Sequence, residues 1–114
     1  MADCIFCQIA NGQVDSEIIY QDELAVAFRD INPQAPTHIV LIPRQHIVSL
    51  DAAREEHSEL LGHLALVAAQ IARQQDLAEG GYRLVTNVGP DAGQAVAHLH
   101  FHIIGGRPMG WPPG

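Results

Sequence analysis

Histidines 98, 100 and 102 alternate with apolar residues in the run His98-Leu99-His100-Phe101-His102. In an extended strand, side chains at i, i+2 and i+4 share a face. Three imidazoles would then line one side while Leu99 and Phe101 bury the other. Seven histidines occur in 114 residues, and a purely structural strand does not require three of them in one short segment. Imidazole can serve as nucleophile, proton carrier or metal ligand near pH 7. At about 3.3 Å per residue, the backbones of His98 and His102 lie roughly 13 Å apart, whereas a zinc–nitrogen bond is only about 2.0–2.1 Å. One ion would struggle to gather all three rings from a straight strand. The row is therefore expected to divide its duties, with metal binding at one end and phosphate or acyl chemistry along the rest. The plainer reading is a polar surface face.

A second group lies at the other end of the chain. Cys4 and Cys7 form a Cys-x-x-Cys motif. On a helical turn, i and i+3 face the same way, so both thiolates can reach one ion. A structural zinc site takes four ligands, and these two are the only cysteines. Two histidines would have to complete the set, and His46 and His98 are the candidates. A buried thiol pair and a redox-active pair remain as alternatives. The third group is the loop Asn87-Val88-Gly89-Pro90-Asp91-Ala92-Gly93-Gln94-Ala95, which leads directly into the histidine row. Its glycines would let backbone N–H groups approach an anion closely, as a phosphate cradle does. An ordinary turn between strands is the bland alternative.

These groups need a scaffold. Asp3 is expected to cap a short helix through Ile5, Phe6 and Ile9, stopped at Asn11-Gly12. Strands are predicted at Ile18–Tyr20, Leu24–Phe28, His38–Ile42, Tyr82–Thr86 and His98–Ile104, with a rigid turn over Asn32–Pro36. The one long helix is predicted from about Asp51 to Gln75, capped by Ser49 or Asp51 and closed before Gly80-Gly81. His57 and His63 fall on different faces of it and read as solvent histidines. The order suggests an α+β fold with an antiparallel sheet of about five strands, one long helix and one short helix. Residues 1–114 are expected to form a single domain. A net charge of −7 with only six Lys and Arg argues against a nucleic-acid binder. No apolar run approaches 18 residues, so no membrane-spanning helix is expected. The N-terminus lacks signal-peptide features, which places the chain in the cytoplasm by default.

His98-Leu99-His100-Phe101-His102-Ile103-Ile104 resembles the signature of the histidine triad (HIT) superfamily. Asp22-Glu23, the block from Ala27 through Asp30 to His38, Gly81-Tyr82-Arg83, Gly93-Gln94 and the tail from Gly105 through Trp111-Pro112-Pro113-Gly114 resemble its Hint branch. The likeness spans essentially the whole chain. It implies a HIT-like fold, a two-fold homodimer and hydrolysis of purine nucleoside phosphoramidates. By that resemblance His100 is the nucleophile and forms a nucleotidyl-histidine. His102 would bind phosphate oxygen and assist proton transfer to the leaving amine. Amides near Gly93, Gln94 and Ala95 would stabilise developing charge, and Asn87 would contact the phosphate or ribose side. Asp30 matches a ribose-hydroxyl ligand, and Ile5, Phe6 and Ile31 would line the base pocket. The Cys-x-x-Cys variant of the family implies one structural zinc on Cys4, Cys7, His46 and His98, and no organic cofactor.

One departure stands out. Ala95 occupies a position that often carries serine in Hint enzymes, so a hydroxyl at the phosphoramidate bridge is lost. Leaving-group protonation would then rest more heavily on His102. A dinucleoside polyphosphate hydrolase of the same superfamily, a non-catalytic nucleotide-binding regulatory protein and a zinc-stabilised module are the other readings. The Gly-Gly-Arg and Trp-Pro-Pro-Gly tail argues against the first of these.

Overall fold

The computed structural model describes residues 3–114. Its centre is a five-stranded antiparallel sheet, β1 (Ile18–Gln21), β2 (Ala25–Arg29), β3 (Thr37–Pro43), β4 (Tyr82–Val85) and β5 (Phe101–Gly105), in the order β1-β2-β3-β5-β4. β3 is the middle strand, and every residue from His38 to Pro43 is buried. It reads as a nearly continuous apolar run because both of its faces are covered. Helix α1 (Ile5–Ala10) packs on one face and helix α2 (Ser58–Gln74) on the other.

Sheet periodicity distributes the core between these faces. Ala25, Ala27, Ile39, Leu41 and Ile103 join Leu64, Val67, Ala68, Ile71 and Ala72 of α2. Val26, Phe28, Val40 and Ile42 point the other way, to Ala10, Phe6 and Ile9. Val40 lies opposite His102 in the β3–β5 register, which sets His102 on the α1 face. No helix among the described residues is long and apolar enough to cross a membrane.

Four local expectations are corrected. The cap of α1 is Cys4, whose Sγ accepts from the Cys7 amide at 3.4 Å, and not Asp3. The long helix starts at Ser58. Two 3-10 turns, Leu50–Ala52 and Glu55–His57, precede it, and Ser49 makes no capping bond. The extended backbone at Ala53 and Arg54 breaks the helical run that the apolar spacing suggested. The histidine strand begins at Phe101, because the Leu99 amide leaves the ladder and donates to the Ile47 carbonyl at 2.6 Å. His57 and His63 also have partners. His57 Nδ1 accepts from the Arg54 amide at 2.9 Å, and His63 Nε2 meets Asp22 Oδ2 at 2.7 Å. Burial alone would raise Asp22, but the Tyr20 hydroxyl, the Leu24 and Ala25 amides and His63 hold its carboxyl at about 2. This cluster ties α2 to the β1–β2 turn.

Candidate active site and metal centre

Two donor clusters flank His100, and hydrogen bonds define the proton positions in each. The first contains Cys4, Cys7, His46 and His98, whose donor atoms all lie within 4.8 Å of one another. His98 is fully buried. Its Nε2 sits 2.8 Å from the Pro43 carbonyl, which can only accept, so Nε2 carries the proton. Nδ1 then keeps its lone pair, 3.5 Å from Cys4 Sγ and 3.6 Å from Cys7 Sγ. His46 Nδ1 lies 3.3 Å from Cys7 Sγ.

Bonds of about 2.3 Å to sulfur and 2.0–2.1 Å to nitrogen around a tetrahedral zinc separate N from S by roughly 3.5 Å. The donor set therefore fits that ion in both chemistry and spacing. A second ring nitrogen bound to a carbonyl is also how metal-bound histidines are normally oriented. Burial, then the hydrogen bond and charge of Cys4, pushes the Cys7 thiol up. A divalent cation would reverse that by stabilising thiolate. All four ligands expected from the sequence thus meet at one point.

The second cluster is Asp30, His38 and His102. His38 Nδ1 accepts from the Gln34 amide at 3.0 Å, so the neutral ring holds its proton on Nε2. That nitrogen lies 2.8 Å from His102 Nδ1 and 3.3 Å from Asp30 Oδ2. His102 Nδ1 is consequently an acceptor, and its proton sits on Nε2. A metal on His38 Nε2 would force a proton onto Nδ1, against the fixed Gln34 N–H. This cluster is an ordered proton chain and a poor metal site. Burial, with His100 and His38 adding to it against the pull of Asp30, brings His102 down to about 4.

His100 stands between the clusters. Its Nδ1 donates to the His98 carbonyl at 2.7 Å, which leaves the Nε2 lone pair available. The ring packs edge-on against Phe6 at 5.0 Å and lies 5.1 Å from His102. The Thr86 hydroxyl donates to the His100 carbonyl at 2.8 Å and steadies its backbone. With Nδ1 engaged, His100 thus presents Nε2 beside the Nε2–H of His102, a combination suited to nucleophilic attack on a polar centre.

Both rings line a cavity of about 470 Å³. Ile5, Phe6, Ile9, Phe28 and Val40 give it apolar walls, and Asp30, Ile31, Ala95 and Val96 border it as well. Ile31 is 98% exposed, so it stands at the rim and not in the floor. Arg29 is the one Lys or Arg side chain on these walls, and it is committed to Glu17 at 2.8 Å and to Gln75 at 3.1 Å.

Asn87, Gly93 and Gln94 lie outside the walls of this cavity. The Gly93 amide donates to the Pro90 carbonyl and the Gln94 amide to the Gly89 carbonyl, each at 3.1 Å. The Gln94 side chain accepts from the Gly89 amide and donates to the Val48 and Val96 carbonyls. Gly89 and Gly93 both have φ of +79°, a region that favours glycine. The loop is therefore a self-braced turn that delivers Ala95 to the cavity.

Sequence reasoning missed two site residues, His38 and Thr86. His38 reads as the first residue of a buried strand. Its diagonal position relative to His102 appears only once β3 and β5 are paired.

Residues 11–109 match the family model described as HIT domain. The chain is 50% identical to a 14 kDa zinc-binding protein of Zea mays, over 96% of this chain and 87% of that protein. It is 48% identical to the purine nucleoside phosphoramidase of Escherichia coli, over 95% of this chain and 91% of that protein. A crystal structure of a HIT family hydrolase from Legionella pneumophila superposes with a TM-score of 0.97 at 46% identity, covering 98% of this chain and all of that one. With its histidine row, sheet order and near-complete overlap with these relatives, the chain belongs to the HIT domain family.

Proposed function

We propose that the protein is a cytoplasmic nucleoside phosphoramidase that cleaves the P–N bond of purine nucleoside monophosphate derivatives. The observation that carries this reading is the proton order across His100 and His102. His100 Nε2 attacks the α-phosphorus, the P–N bond breaks, and a nucleotidyl-histidine forms. His102 hydrogen-bonds a phosphate oxygen through Nε2–H and gives that proton to the departing nitrogen as it leaves as the amine, and solvent then returns a proton to His102 Nε2. Water then attacks phosphorus, the P–Nε2 bond breaks, and the nucleoside monophosphate departs. The first step needs His100 neutral, because a protonated ring has no lone pair to give.

The apolar cavity suits a base between Phe6, Ile5 and Ile31, with Asp30 accepting from the ribose hydroxyls. The Ala95 amide, which has no partner among the described residues and whose residue lines the cavity, would donate to phosphate. Gly93 and Gln94 shape the loop that presents it, and Asn87 flanks the phosphate or ribose side. Cys4, Cys7, His46 and His98 would hold a structural zinc, which supplies cross-linking and not water activation, since four protein ligands leave no open position. The 48% identity to a purine nucleoside phosphoramidase supports the substrate class, and the 50% identity to a zinc-binding protein supports the metal. A two-fold homodimer completes the reading, because edge strands tend to be covered.

The test is His100→Ala assayed on an adenosine phosphoramidate and, in parallel, on a diadenosine polyphosphate. Turnover should vanish while adenosine monophosphate binding persists, and the wild type should prefer the phosphoramidate. Unchanged turnover in the variant would remove the nucleophile assignment. Faster hydrolysis of the polyphosphate would move the protein to another branch of the family.

A further inference from the structure

We propose that Cys4 and Cys7 form a peroxide-oxidisable dithiol whose closure disassembles the metal cluster and releases the peptide that sets the His100 tautomer. The inference rests on the nucleophile reading above for its effect on turnover, but its chemistry at the cysteines does not depend on that reading.

Three observations meet here. First, both cysteines are free and partly exposed. Cys4 and His46 line an open cavity of about 460 Å³, bounded also by Val48 and by Ala95 to Ala97, so a small oxidant has a route to the sulfur. Secondly, residues i and i+3 of a helical turn place their Cα atoms roughly 5 Å apart, inside the range of about 4.4–6.8 Å that a disulfide spans. The fold need not move far to close one.

Thirdly, the His98–Leu99 peptide couples the cluster to the nucleophile. Its carbonyl accepts from His100 Nδ1 at 2.7 Å. Its N–H donates to the Ile47 carbonyl at 2.6 Å. The residues on either side of that bridge, His98 and His46, are both cluster ligands. Metal retention and orientation of the His98 carbonyl therefore share the same few atoms.

The chemistry uses a hydroperoxide as oxidant. The Cys4 thiolate attacks one peroxide oxygen, the O–O bond breaks, and a sulfenic acid and hydroxide result. The Cys7 thiolate then attacks Cys4 Sγ, the S–O bond breaks, and the departing hydroxide takes a proton to become water. Two thiols lose two electrons and one peroxide gains them, and the bridge can be reversed by an external dithiol. The cluster is left with two imidazoles, too few to retain zinc. His98 Nδ1 is then unanchored, and the peptide it steadies can rotate away from His100.

Hydrogen peroxide added to zinc-loaded protein tests this. Peptide mapping should find a Cys4–Cys7 disulfide, and a chromophoric chelator should capture zinc in step with it. Nitrogen NMR should show the His100 Nδ1–H population shift. On the phosphoramidate, kcat should fall roughly 10- to 100-fold, the scale of losing a ligand-orienting contact, with KM little changed. Dithiothreitol plus zinc should restore it. Cys7→His, which keeps four potential ligands without a dithiol, should resist peroxide. Cys4→Ser serves if that variant does not fold. Bridge formation and zinc loss with the His100 signal unmoved would overturn the proposal, as would thiols that survive peroxide. A protein inactive on phosphoramidates that still shows the bridge, zinc loss and His100 shift would leave this inference standing and defeat only the substrate assignment.

Discussion

His38 acts on the site without facing the cavity. The Gln34 amide fixes its Nδ1 as an acceptor, and that one bond orders every proton as far as His102 Nε2. Removing the ring leaves His102 free to take the opposite tautomer, with a lone pair facing the phosphate oxygens. His38→Ala is expected to lower kcat about 100-fold, within the range of general acid–base contributions, with nucleotide affinity nearly unchanged. Steady-state kinetics beside a binding titration would check the split. His102 also makes a stability prediction. Its ordinary value near 6.5 falls to about 4 in the fold. Between those limits the unfolded chain binds the proton more readily, so stability is intact above pH 6.5 and is lost as pH falls towards 4. Denaturant titrations should show this slope, and His102→Gln should flatten it by at most about 1.4 kcal/mol per pH unit.

The two helices and the sheet were largely readable from apolar spacing, because periods of 3.6 and 2 are imposed by burial. α2 shows where that signal stops. Leu60, Leu64, Val67 and Ile71 carry the helical period, but the start expected near Asp51 is lost to extended residues 53 and 54, a choice made by local backbone bonding that hydrophobicity does not encode. The histidine row shows the same limit. Alternation put Leu99 and Phe101 on the helix-side core, where Leu99 is buried and Phe101 partly so, but the strand starts late because Leu99 bonds Ile47. The four residues of the Cys/His cluster were legible as residue types, whereas the His38–His102 pair was not, since it needs the β3–β5 register. At the sheet margin, β4 has an unpaired outer edge, and Leu84 on it is 40% exposed. If a second copy covers that edge, Leu84→Lys should convert a dimer to monomers in analytical ultracentrifugation, because an edge lysine discourages strand pairing. An unchanged sedimentation coefficient would place the contact elsewhere.

For the molecule as a whole, α1 and α2 clamp opposite faces of one sheet, and the metal cluster joins the α1 face to the approach of β5. The apolar cluster on the α2 side is the larger of the two. The α1 side has a smaller apolar cluster and carries the His100 and His102 rings.

The pairing of Arg29 with Glu17 has a kinetic consequence. With its nearest guanidinium already neutralised, the cavity would meet the proposed anionic substrate with N–H dipoles and, among the described residues, no free Lys or Arg on its walls, on a chain of net charge −7. Long-range forces then slow the encounter, where a basic cleft would hasten it. Salt shortens the reach of that repulsion to about 10 Å at 0.1 M. Raising ionic strength from 10 to 150 mM (a change in screening length from about 30 to 8 Å) should therefore increase kcat/KM where encounter limits it. Glu17→Gln, which unmasks Arg29, should make the dependence shallower or reverse it. Catalysis by the proposed reaction would be favoured by salt that hides the protein's own charge from an anionic substrate.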